Sequence, residues 1–312
     1  MQKRTKKPDI ESTFKSLDTE ECIDIYFYRP IGYRWALLFH KLEVSPNAVT
    51  IAAIFIGVAA GICFYFQNIL INVAGMLLLV WANSYDSADG QLARMTGKTS
   101  PMGRILDGFC GDLWFIAIYA AICLRLTPQW GVWIWVFAAM TGFSHTTQAS
   151  MADYYRNVHL FFLKGKAGSE WANSATLKEN HKKMSWKKDF IHKLFNTSYI
   201  GYTARQERQS PKLQQMMKII REKYADEAPE WFRKAFREKS LPLMKYTNML
   251  SFNTRVMALF ISLFMNMPCL YFVFEITALN IMLIYMIVKH EHICARFTKR
   301  LMLPDNQFPL HE

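Results

Sequence analysis

The sequence contains no Cys-x2-Cys pair, no apolar core behind its basic amino terminus and no internal repeat or low-complexity tract. Its six cysteines (Cys22, Cys63, Cys110, Cys123, Cys269 and Cys294) are scattered, most of them in apolar runs. Without a paired spacing they read as reduced packing residues, Cys110 included. The opening MQKRTKKPDIESTFK has no hydrophobic stretch after its charges, so no cleavable signal peptide is expected. Acidic charge is the scarce sign, with 25 Asp and Glu against 37 Lys and Arg, a net charge of +12. A basic balance suits nucleic acid or an anionic surface. No RNA- or DNA-binding motif accompanies it, so nucleic acid is excluded as a partner, and the apolar blocks point to anionic lipid or phosphate substrates.

Hydrophobic residues make up 52% of the 312 residues and aromatics 15%. A mean hydropathy of only +0.03 means that apolar blocks alternate with charged ones. This pattern predicts an all-α integral membrane protein with basic cytosolic segments. Residues 1–22 form a polar tail. Residues 23–44 read as an amphipathic helix at the membrane surface, broken near Pro30. Six transmembrane helices follow, at about 48–66, 69–94, 103–126, 130–151, 252–267 and 270–288. Ser45 can cap the first and Pro46 fits its first turn. The corresponding domains are 1–22, 23–164 (surface helix and spans one to four), 165–250 (a basic cytosolic insertion) and 251–312 (spans five and six with a basic tail). Basic charge concentrates in both termini, the 95–102 connector and the 165–250 segment, so the positive-inside rule puts both ends in the cytosol.

One stretch, YDSADGQLARMTGKTSPMGRILDGFCGD (85–112), carries chemistry. Asp86, Asp89, Gly90, Ala93 and Arg94 fall at i, i+3, i+4, i+7 and i+8, one face of an α-helix. That face ends a long apolar run, and charge at such a depth is expensive enough to signal a site. The spacing Asp86-x2-Asp89-Gly90-x2-Ala93-Arg94-x8-Gly103-x3-Asp107 closely resembles the signature of the CDP-alcohol phosphotransferases, integral membrane enzymes of phospholipid synthesis. The tripeptide YRP (28–30) followed by SPNAVT (45–50) resembles the entry to the first span in the same family. There is one departure. The family pattern closes with a further Asp four residues after the third, where this chain has Gly111, and Asp112 follows one place late.

Carboxylates from two neighbouring helices suit a hard divalent cation. Two Mg²⁺ or Mn²⁺ ions bridging a pyrophosphate would neutralise charge on a leaving phosphate. Gly90 and Ala93 lack bulk, so a nucleotide can press on the helix, and Arg94 can pair with phosphate oxygens. The resemblance implies a CDP-linked lipid or alcohol donor, attack by an acceptor hydroxyl on the phosphorus distal to cytidine, and release of CMP. It assigns the metals to Asp86, Asp89 and Asp107, places Gly103 in the nucleotide-binding motif and gives the last family Asp a dual role as ligand and general base. On a regular helix Gly111 lines up with Asp107, whereas Asp112 is rotated roughly 140° from it. A π-bulge would restore Asp112 as the fourth acid; a three-acid site or a degraded enzyme are the alternatives. The resemblance further implies a homodimer, and a bacterial cytoplasmic membrane with the site facing the cytosol is expected.

Span four ends in a second polar face, on which His145, Gln148 and Arg156 share a side. They could line an acceptor pocket, with Arg156 on a phosphorylated polyol, or serve as polar packing between helices. Arg255 and Lys289 read as topological charges, and His290, Glu291 and His292 as a solvated tail rather than a metal cluster. Two other functions remain open: a membrane scaffold or transporter that lost turnover, favoured by Gly111, and a Mg²⁺-dependent prenyltransferase, disfavoured by the lack of a second Asp-rich motif.

Overall fold

The computed structural model describes residues 16–98, 101–165, 171, 173–185, 190–225 and 227–302. Most of the polar tail assigned to 1–22, two positions of the 95–102 connector, parts of the 165–250 insertion and the end of the basic tail lie outside the described residues. Among the described residues every regular element is helical. A π-helical turn, Asp24–Tyr28, runs into α1 (Arg29–Lys41). There follow α2 (Pro46–Cys63), α3 (Ile69–Thr96), α4 (Pro101–Trp130) and α5 (Trp133–Lys164). The insertion forms α6 (Ser174–Lys183), α7 (Phe190–Gln209), α8 (Pro211–Tyr224) and α9 (Glu230–Met249), and the chain closes with α10 (Phe252–Phe264), α11 (Cys269–Ile276) and α12 (Ala278–Met302).

Local chemistry sets several boundaries. The Ala48 backbone N–H donates to the Ser45 side chain at 3.3 Å and Pro46 opens α2, as the sequence predicts. Asn68 caps α3 by accepting from the Leu70 N–H at 2.8 Å, and Gly97, at φ 66°, ends it in the left-handed region. The expected break near Pro30 is instead a switch from π to α helix. Pro30 lies where the π turn passes into α1, and its missing N–H removes one rung of the backbone ladder at that junction.

The described chain divides into two compact units, residues 1–145 with 252–277, and 146–251 with 278–312. In the first, α2 is the hub. Its Ala53, Gly57 and Gly61 step by four, and this row of small residues lets α4 come close. A Cβ on Gly57 would sit 2.2 Å from the Trp114 ring, so only glycine admits that indole. Trp114 is buried there and donates its Nε1–H to the Ala53 carbonyl at 3.0 Å. α1 rests on α3 through an aromatic cluster, with Trp35 and Phe39 each 5.1–5.2 Å from the Tyr85 ring.

The second unit has its own core. On α8, Leu213, Met216, Met217 and Ile220 are buried at the i, i+3, i+4, i+7 spacing of one face. Phe162, Phe232, Phe236 and Phe297 pack ring on ring, the closest pair, Phe162 and Phe236, at 4.2 Å. Glu291 accepts the Lys212 and Leu213 N–H groups at 2.7 and 3.1 Å and so caps α8. His290 is buried and stacked on Tyr155 at 3.9 Å, which corrects the solvated-tail reading. Two residues apart, about 200° around α12, His290 turns inward while His292 stays exposed.

Among the described residues, four helical stretches are long and apolar enough to cross a membrane: Pro46–Cys63, Ile69–Thr96, Leu106–Trp130 and Cys269–Met302. Their exposed side chains include Phe55, Leu70, Leu77, Ile116 and Ile281, as a lipid-facing surface requires. The two other spans expected from sequence are not among these four. α10 has 13 residues and reaches only about 20 Å, and α5 carries its polar face within the stretch that would cross.

Gly57→Ala is expected to lower stability by roughly 1–3 kcal/mol, because the Trp114 ring has to leave its slot. Gly142→Ala, whose Cβ meets only an ordinary 3.9 Å contact, is the control, and thermal unfolding in detergent followed by tryptophan fluorescence reads both.

Candidate active site

The site is assembled from α3 and α4. Asp86 and Asp89 lie one turn apart on α3, and Asp107 stands in the second turn of α4. One carboxylate oxygen from each lies within 4.8 Å of the other two. Burial is graded across the trio: Asp89 is buried, Asp86 half-buried and Asp107 exposed. Such a cluster is deep at one end and open to incoming ligand at the other.

Two neutral donors support it. The Thr50 hydroxyl, one turn into α2, donates to Asp89 Oδ2. The Cys110 thiol, buried one turn beyond Asp107, bonds to the Asp86 carboxylate. The cysteine read from sequence as packing is therefore also a polar contact of the motif. Thr50 had no assigned role; a hydroxyl near the start of an otherwise largely apolar membrane helix was the signal that could have singled it out.

Arg94 folds back over Gly90, placing two guanidinium nitrogens 3.5 and 3.6 Å from where a Cβ would be. The space that the glycine leaves is thus occupied by the guanidinium, within charge range of Asp89 and Asp107. Ala93 is half-buried on the same helix, and Gly103 is half-buried in the first turn of α4.

The π-bulge that would bring Asp112 into line is not formed, since α4 is α-helical throughout 107–112. Asp112 is exposed and lies outside the trio, with the His145 ring within electrostatic range. Gly111 occupies the position in line with Asp107, and a Cβ built there meets nothing within 4 Å.

His145 Nδ1 lies 2.9 Å from the Tyr119 hydroxyl and 3.7 Å from Glu275 Oε1. Glu275 is fully buried and accepts from Arg255 at 2.5 Å and from Tyr271 at 2.6 Å. Arg255 is therefore the buried counter-ion of Glu275, which corrects its reading as a topological charge. Gln148 and Arg156 belong to the second unit. There Gln148 donates to Asn280 at 2.8 Å and Arg156 to Asn248 at 3.1 Å. The three residues sharing a face in the sequence thus each contact a neighbouring helix within their own unit.

A family model described as CDP-alcohol phosphatidyltransferase matches residues 43–161, which include Asp86, Asp89 and Asp107. The chain carries a CDP-alcohol phosphatidyltransferase domain. Among curated proteins, this domain is similar to the archaetidylinositol phosphate synthase of Pyrococcus horikoshii, 38% identical over 92 residues, or 30% of this chain and 47% of that protein. It is also similar to the bifunctional IPC transferase and DIPP synthase of Aquifex aeolicus, 28% identical over 132 residues (40% and 30%). A third relative is cholinephosphotransferase 1 of Mus musculus, 30% identical over 110 residues (31% and 28%). The matches span less than half the length of each of these relatives. No solved structure matches the chain.

The donor set fits a hard divalent cation: three carboxylates from two helices, oxygen ligands only, at a separation that one ion or a pair can bridge. Mn²⁺ titration of the purified protein provides the check. Asp89→Asn should abolish or strongly weaken binding, and Thr50→Val should weaken it about tenfold through loss of the donor that orients Asp89. Gly111→Asp should tighten it, because position 111 has room for the carboxylate.

Proposed function

We propose that the protein is a membrane phosphotransferase of phospholipid synthesis that moves a substituted phosphate, such as a phosphatidyl group, from a CDP-linked donor to an acceptor hydroxyl and releases CMP. The observation that carries this reading is the cluster of Asp86, Asp89 and Asp107 at the ends of apolar helices, inside the matched domain, with Arg94 beside it. Bound at the trio, Mg²⁺ or Mn²⁺ would supply charge neutralisation to the two donor phosphates. Asp86 and Asp89 hold their oxygens on one face of α3, and Thr50 keeps Asp89 oriented. Asp107 presents its carboxylate from the facing helix at the open side. Arg94 swings from Gly90 to the phosphate oxygens, which leaves the glycine surface for the nucleotide.

In the reaction the acceptor oxygen forms a bond to the phosphorus distal to cytidine, and the bond from that phosphorus to the bridging oxygen breaks. CMP leaves with the bridging oxygen. The hydroxyl proton passes to Asp112, the remaining carboxylate of the motif region, which is exposed on α4. The names of the relatives, a phosphorylated inositol lipid synthase among them, favour a polyol or amino-alcohol acceptor. The four long apolar stretches hold the site in the bilayer, and α1 lies along its surface.

One observation favours a second reading, a family member that binds metal and nucleotide without turnover: position 111 carries no carboxylate. CMP release by the purified protein distinguishes the two, using Mg²⁺ or Mn²⁺, CDP-diacylglycerol and a panel that includes inositol phosphate, glycerol phosphate and serine. Acceptor-dependent CMP release, reduced more than a hundredfold in Asp107→Asn and in Asp112→Asn, is the expected result. Full turnover in Asp112→Asn would move the proton acceptor elsewhere, and metal binding without CMP from any pair would favour the second reading.

A further inference from the structure

The helix that precedes the matched domain delivers one more cation to the acidic face. α1 lies directly on the motif-bearing stretch of α3: a Cβ on Gly32 would come within 2.8 Å of Ser87 Oγ and 2.9 Å of Gln91 Nε2. One turn earlier, the Arg29 carbonyl accepts from Gln91 Nε2 at 3.1 Å, which pins the start of α1 two residues from Asp89 along α3. The Arg29 guanidinium is held by two bonds to Glu20, Nη2 to Oε1 at 2.8 Å and Nε to Oε2 at 3.4 Å. Both side chains are largely buried, at 15% and 8% exposure, so this is a fixed pair and not a surface contact. From that position the Arg29 charge is felt by Asp86 and by Arg94.

Two guanidinium groups are therefore kept in mutual charge range beside three clustered carboxylates. Like charges held together cost free energy; here Glu20, Asp89 and Asp107 offset that cost at Arg94, and a cation bound at the trio would engage two of those three carboxylates. The carboxylates account for a metal, and the paired guanidiniums call for an anion with oxygens on more than one side. A phosphate group meets that description, and guanidinium is the side chain suited to two-pronged contact with it. Glu20 bonds the Arg29 guanidinium through Nε and Nη2, which fixes the plane of the group beside the motif.

We propose that Arg29 is a phosphate-binding residue of this site, acting alongside Arg94, and that Glu20 is the positioning residue that holds its guanidinium beside the motif. This inference rests on reading the Asp cluster as a metal–phosphate site, and it extends that site outside the matched domain, which begins at residue 43. The phosphate is that of a nucleotide donor or that of a phosphorylated acceptor; both present the same oxygens.

The test is calorimetric titration of the full chain in detergent at saturating Mn²⁺, with CDP in one arm and sn-glycerol 3-phosphate in the other. Arg29→Gln should lose about tenfold or more in affinity in at least one arm, Arg29→Lys should lose less, and Glu20→Gln should lose a smaller factor in the same arm. Mn²⁺ binding without phosphate should be kept or tightened in Arg29→Gln, because a repelling cation has gone; a collapsed site would lose it. A loss with CDP assigns Arg29 to the donor, and a loss with glycerol phosphate assigns it to the acceptor. Wild-type affinity in both arms for Arg29→Gln overturns the inference alone. If the wild-type protein itself binds neither ligand, the reading of the site falls and this inference with it.

Discussion

Three carboxylates whose oxygens lie within 4.8 Å of one another, at the ends of helices otherwise built from apolar residues, are the constraint to which the first unit answers. Left alone, such a cluster repels itself and resists burial. The surroundings offset this in layers: a hydroxyl from α2 on Asp89, a thiol from α4 on Asp86, and the guanidiniums of Arg94 and Arg29 within charge range. None of these suffices to neutralise three acids as a divalent cation would. The arrangement makes sense as a receptor for a cation first and for phosphate second.

Close helix approach is what makes the cluster possible. Carboxylates are short, so α3 and α4 meet only if α2 lets both come near. Gly57 opens the slot for Trp114 and Gly61 lies against Ala117, while Gly32 lets α1 settle on Ser87 and Gln91. In a membrane helix there is little hydrophobic gain from association, so such small-residue contacts and the few interhelical hydrogen bonds carry the packing. The Trp114 bond to the Ala53 carbonyl is one of these. The buried pair Arg255–Glu275, braced by Tyr271 and His145, is another. A buried ion pair of this kind contributes little net stability, and its removal on one side only is costly, so it specifies how α10, α11 and the start of α5 fit together.

The glycine at 111 shapes the chemistry open to this chain. It stands in line with Asp107 with space around it, whereas the neighbouring Asp112 points to a different side of a regular helix, with His145 within electrostatic range. Shifting an acid by one residue on an α-helix changes its direction by about 100°, more than any rotamer can recover. Under the proposed function, metal binding and proton transfer, combined in one residue by the resemblance drawn from sequence, would be divided between the trio and Asp112.

Local pattern alone was enough for the helical class, the cap at Ser45, the long apolar helices and the trio Asp86, Asp89 and Asp107, because period, capping chemistry and residue spacing are properties of neighbouring residues. It was not enough for the partners. Thr50 reaches Asp89 across 39 positions and Arg255 meets Glu275 across a turn between two helices, and no spacing rule encodes either contact. Burial misled at His290, where the phase of α12 against α5 buries a ring that composition places in solvent. Arg29 falls within the stretch read from sequence as a surface helix, and only the packing of Gly32 on Ser87 and Gln91 sets the start of that helix beside the motif. Which residues are able to do chemistry is written in their type and spacing; which of them meet depends on how closely helices can approach, and that is decided by side-chain volume in three dimensions.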